Sequence, residues 1–128
     1  MMQLIRSGSF DASHRLPGYP GKCWRTHGHT YHYKVSVKAD KLSRARETWA
    51  HHAVIDFGLV KKVINRLDHR HLNRLMKMPT AEVIAEWIGL ELQKAIKGHC
   101  SHHGIPTVPE VEYVELMETD NCTVVWTP

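Results

Sequence analysis

The chain has 128 residues, 42% of them hydrophobic, which suits one globular domain over 1–128 with a modest core. Its 17 Lys and Arg against 13 Asp and Glu leave a net charge of +4, but they are scattered without a basic run or aromatic interleaving, so no nucleic-acid partner is expected. No run of 18 apolar residues, no apolar leader after Met1 and no Cys-x-x-Cys pair occur, so a membrane span, secretion and a disulfide framework are not expected, and a cytoplasmic protein with reduced thiols is.

A first strand is expected over about Gln3 to His14, in which Phe10, Ala12 and His14 share a parity. A loop rich in turn formers follows, with Pro17, Gly18, Pro20 and Gly21. From His27 to Ala39 a strict alternation begins: His27, His29, Tyr31, Tyr33, Val35 and Val37 on one face, Thr30, His32, Lys34, Ser36 and Lys38 on the other. A hairpin would set His14 beside His27 and His29. Three neutral imidazoles suit a zinc ion with an open coordination position. Cys23, just upstream, would either close that site as a fourth ligand or stand outside it as an acid/base or nucleophile. Arg15, Lys22 and Arg25 flank the loop and could meet a polyanionic small molecule such as a triphosphate.

A polar connector leads to His51-His52, read as solvated surface. Asp56 then caps a helix whose Phe57, Val60, Ile64 and Leu67 recur at helical spacing, with Lys61, Lys62 and Arg66 outward. Asp68-His69 follows it; by itself such a pair is ordinarily a turn. Met78-Pro79-Thr80 opens a second helix, with Val83, Ile84, Trp87, Ile88 and Leu92 as its apolar face, expected to run to Gly98. The segment from Gly98 to Pro109 reads as a loop, and His99-Cys100-Ser101-His102-His103 as solvated polar residues on it. Strands are expected at Val111 to Glu118 and Cys122 to Trp126, completing an α+β chain. Val114, Leu116 and Glu118 share a face, so the Glu118 carboxylate either finds a partner at the end of an apolar row or is solvated beyond the sheet.

Phe10-Asp11-Ala12-Ser13-His14, Cys23-x3-His27-Gly28-His29, Asp56-Phe57, Leu67-Asp68-His69-x2-Leu72-Asn73, Pro79-Thr80-Ala81-Glu82 and Met117-Glu118-Thr119 occur in an order that resembles the 6-pyruvoyltetrahydropterin synthase family. The three-residue spacer after Cys23 resembles its bacterial 6-carboxytetrahydropterin synthase branch. Two places depart from the family pattern: Ala53, where relatives often have Gly, and the His99 to His103 segment. The resemblance implies a tunnelling fold (T-fold), a four-stranded antiparallel sheet with two helices on one face, whose subunits join into a barrel as a homohexamer of two trimers. It implies zinc held by His14, His27 and His29, a catalytic thiol at Cys23, proton transfer by Asp68 with His69, and a pterin ring anchored by Glu118. The implied lyase reaction converts 7,8-dihydroneopterin triphosphate to 6-carboxy-5,6,7,8-tetrahydropterin, in queuosine biosynthesis. Related pterin activities, or a non-catalytic zinc module, are the alternatives.

Overall fold

Alternation of polar and apolar residues builds the sheet, and in the computed structural model, which describes residues 1–128, it does so in the expected places. Strands β1 (Met2–His14) and β2 (His27–Ala39) form one long antiparallel hairpin, in register from Met2 opposite Ala39 to His14 opposite His27. Strand β4 (Glu110–Thr119) pairs with the other edge of β2, and β5 (Cys122–Trp126) pairs with β4. These four antiparallel strands match the expected sheet. A two-residue strand β3 (Arg70–His71) joins as well, parallel to β1 at Ala12 and Ser13, so the order is β3-β1-β2-β4-β5 and the sheet is mixed. Two residues carry no readable period, which is why β3 is invisible in the sequence.

One face of this sheet is covered by helices α1 (Phe57–Asn65) and α2 (Ala81–His103). Phe10, Tyr31, Tyr33, Val35, Val37, Val114 and Leu116 from the strands meet Val60, Ile64, Ile84, Ile88 and Leu92 from the helices in one buried cluster. Phe10 stacks on Tyr31 with ring centroids 4.9 Å apart. The Asp56 side chain accepts from the Gly58 amide at 2.8 Å and caps α1; Thr80 does the same for α2 through the Val83 amide at 3.2 Å. The opposite face carries the other parity, Asp11, Ser13, Thr30 and His32, and no helix covers it. The sheet is not closed: β3 covers only two residues of the β1 edge, and β5 lies at the far edge. No helix is long and apolar enough to cross a membrane.

Two expectations are corrected. Helix α2 does not stop at Gly98; it continues through His99-Cys100-Ser101-His102-His103 and ends at Gly104, whose φ of 67° is the left-handed C-cap that glycine adopts without a Cβ penalty. Gly98 costs a helix only about 1 kcal/mol, and burial of Ile96 and Cys100 on either side of it outweighs that. His51 is likewise not solvated. It is 1% exposed, its Nδ1 lies 2.7 Å from the Ser43 hydroxyl, and its Nε2–H donates to the His103 carbonyl at 2.9 Å.

Candidate metal centre

His14 ends β1 and His27 begins β2, so the register puts them directly opposite, with His29 two residues further along the same face. Their ring centroids are 4.6, 5.1 and 4.8 Å apart, and one nitrogen from each lies within 4.8 Å of the others. The expected convergence of the three imidazoles is therefore present within one chain.

Outer contacts orient two of the rings. The Nδ1–H of His14 donates to the Pro79 carbonyl and that of His27 to the Arg25 carbonyl, both at 2.7 Å. Each bond fixes a tautomer in which a neutral ring carries its lone pair on Nε2. The two Nε2 atoms face each other at 3.0 Å, an approach of two acceptors that calls for a proton or a cation between them. The Nε2 of His29 is buried with no hydrogen-bond partner. Burial lowers the pKa of both His14 and His29, outweighing the opposite pull of Glu118. Neutral imidazoles with unsatisfied, inward lone pairs fit a divalent metal, and the donor set of three nitrogens matches zinc with an open position.

Glu118, at the end of β4, is not solvated beyond the sheet. Its Oε1 is 3.8 Å from His29 Nε2, too long for a hydrogen bond but close enough to act on the site by charge. Tyr31, fully buried beneath the cluster, has its hydroxyl 3.3 Å from His14 Nδ1, and burial, then Glu118, pushes its pKa up. Cys23 sits in a short 3-10 turn, Lys22–Trp24, half-buried, and is outside the group of mutually close donor atoms. That geometry speaks against a fourth ligand.

Asp68 and His69 are elsewhere in the same chain. Asp68 Oδ1 accepts from the Asp11 amide at 3.0 Å and lies 3.0 Å from His69 Nδ1; the Asp11 amide, and then His69, hold its carboxyl below the usual range. His69 has a left-handed φ of 57°, anchored by its amide donating to the Asp11 carbonyl, and its side chain is 79% exposed. A non-glycine residue held in that region signals a position fixed by its surroundings. With Asp11, Ser13, His29 and Thr30, it lines an open cleft of about 520 Å³. Strand parity sets His14, His27 and His29 on the helix-covered face, while Asp68 and His69 gather at the Asp11 carboxylate on the other parity, with His29 reaching the same cleft.

Some supporting groups had no signal in the sequence. The Pro79 and Arg25 carbonyls are backbone atoms, whereas Asn73, part of the Leu72-Asn73 motif, bridges the Arg15 backbone with both an acceptor and a donor at 2.9 Å. Arg25 stacks over Trp24, its guanidinium carbon 5.4 Å from the ring centroid.

A mixed sheet backed by two helices, with three converging imidazoles, a nearby carboxylate and a separate Asp-His pair, is the arrangement of a metal-binding α+β protein. The family model described as 6-pyruvoyl tetrahydropterin synthase matches residues 3–128, and the chain belongs to that family. It is 37% identical over 123 residues to a 6-carboxy-5,6,7,8-tetrahydropterin synthase of Synechocystis sp., spanning 90% of this chain and 87% of that one. It is also 34% identical over 100 residues to a dihydroneopterin monophosphate aldolase of Pyrococcus furiosus, spanning 75% of this chain and 79% of that one. Among solved structures, the 6-pyruvoyl tetrahydropterin synthase of Caenorhabditis elegans matches with a TM-score of 0.71 at 24% identity, covering 99% of this chain and 95% of that one, and supports the T-fold.

Proposed function

We propose that this protein is a lyase, a 6-carboxy-5,6,7,8-tetrahydropterin synthase, which with one water converts 7,8-dihydroneopterin triphosphate to 6-carboxytetrahydropterin, acetaldehyde and triphosphate. On this reading it acts in queuosine biosynthesis, in the cytoplasm. The observation that carries this reading is the inward-facing set of His14, His27 and His29 beside Glu118, in a chain 37% identical to an enzyme of that name.

His14, His27 and His29 would hold zinc, which would supply a Lewis acid for the hydroxyls of the substrate side chain. The Pro79 and Arg25 carbonyls keep the rings aimed. Glu118 anchors the pterin ring, because a carboxylate accepts two parallel N–H bonds from a 2-amino-4-oxo edge. Cys23 and His69 move protons to and from the side-chain carbons, and Asp68 orients His69 and stabilises its charged form. No redox cofactor is needed, since ring reduction and side-chain oxidation occur within one molecule.

The placement of Asp68 and His69 on the other parity from the three imidazoles supports a site completed between copies. Asp68 and His69 of one chain would meet His14, His27, His29, Cys23 and Glu118 of another, and open edges at β1 and β5 suit barrel closure as a homohexamer of two trimers.

Mass spectrometry of the products formed by purified, zinc-loaded protein from 7,8-dihydroneopterin triphosphate tests the reading. The expected products are 6-carboxytetrahydropterin and acetaldehyde. A 6-pyruvoyl product, or a hydroxymethyl product of the kind an aldolase would release, would overturn it.

A further inference from the structure

Outside the centre just described, helix α2 ends in a second cluster of imidazoles. His99 and His103 are four residues apart and so share one helical face, with ring centroids 4.6 Å apart. Trp49, from the 3-10 turn Trp49–His52, lies against both, 5.7 Å from His99 and 5.4 Å from His103. The Nε2 of His99 is buried without a hydrogen-bond partner, an unfavourable state for a polar atom that a bound ligand would relieve. The last turn is held in place: the buried His51 donates to the His103 carbonyl at 2.9 Å, and Gly104 closes the helix.

We propose that His99 and His103 form a second metal site, a two-imidazole chelate for a late divalent transition-metal ion such as Ni2+, Cu2+ or Zn2+, with water in its remaining positions. Two imidazoles one helical turn apart present nitrogens to a common point, and imidazole suits these ions. The C-terminal end of α2 contributes a partial negative charge on the same side. Imidazole nitrogens with no carboxylate among the ligands favour these ions over Mg2+ and Ca2+, which take oxygen donors. It shares no residue with the pterin site and stands independently of that assignment.

The test is a titration with Ni2+ of protein carrying one zinc per chain, read by tryptophan fluorescence and by nickel and zinc content after equilibrium dialysis. Saturable quenching at one nickel per chain with no loss of zinc is expected. Trp49→Phe should bind nickel yet lose the quenching, and a hundredfold excess of Mg2+ should displace nothing. His99→Gln, which keeps a polar planar group in the same place, and His103→Ala should retain their melting temperatures and take up no second metal. Nickel uptake unchanged in both variants, or abolished by His102→Ala while both keep it, would overturn the site, as would any uptake that displaces zinc one for one.

Discussion

His14 and His27 face each other across a directly paired position of β1 and β2, their Nε2 atoms 3.0 Å apart, while both Nδ1–H groups point away to backbone carbonyls. Two lone pairs held this close repel unless a cation lies between them. His27→Ala or His29→Ala should therefore lose zinc and activity together, against about one zinc per chain in the parent protein. Metal analysis of the purified variants checks this, and zinc retained in both would move the centre elsewhere.

Cys23 stands outside the donor cluster, so Cys23→Ala should keep its zinc and its pterin affinity while turnover falls by about two to four orders of magnitude. Zinc content and kcat measured on the same preparation separate the roles. Loss of metal from this variant would make Cys23 a ligand.

Glu118→Gln keeps the side chain's shape but turns one acceptor into a donor facing the donors of the ring. Binding of a non-reactive pterin, measured by calorimetry, should weaken by about 2–4 kcal/mol with zinc content unchanged. Equal affinities would leave Glu118 with only its charge contact to His29 at 3.8 Å.

The same substitution at two glycines of α2 should have opposite signs. A Cβ on Gly89 would lie 2.0 Å from Cζ3 of Trp126, so Gly89→Ala must displace the indole from its packing. The overpacking cost of about 1–3 kcal/mol exceeds the helix-propensity gain of about 1 kcal/mol, and the variant should be less stable. Gly98→Ala meets nothing within 4 Å and should be stabilised by about 0.5–1 kcal/mol. Urea denaturation of the two variants beside the parent reads both signs.

Glu91 links to Arg66 at 2.9 Å and to Lys94 at 3.3 Å, and the Arg66 bond leads in holding its carboxyl pKa below the ordinary value. A carboxylate with a lowered folded pKa contributes stability above its unfolded pKa and loses it as pH falls through the folded one. Glu91→Gln should therefore cost less than about 1 kcal/mol at pH 7, with the gap to the parent closing in strongly acidic solution. A gap that widens on acidification would reverse the assignment.

Much of the framework was legible because it is periodic. The two-residue period from His27 to Ala39 placed β2 and the shared face of His27 and His29, and hairpin logic placed His14 beside them. The Asp56 cap and the apolar rows of both helices were equally readable. The end of α2 was not. Gly98 looks like a stop signal locally, and only the burial of Ile96 and Cys100 carries the helix past it to Gly104. His51 was misread for the same reason, since its partners, Ser43 and the His103 carbonyl, are set by how the connector packs on α2.

Sequence by itself determined the residue types, their strand faces and the family, because side-chain parity and motif order are local properties of the chain. Tertiary structure alone decided that Glu118 turns in toward His29, that Cys23 stays out of the imidazole cluster, and that Asp68-His69 gathers at Asp11, on the other parity from the imidazoles. The reason is physical. Those relations depend on contacts between residues tens of positions apart, where backbone carbonyls, burial and the two-residue strand β3 fix distances that no local period encodes.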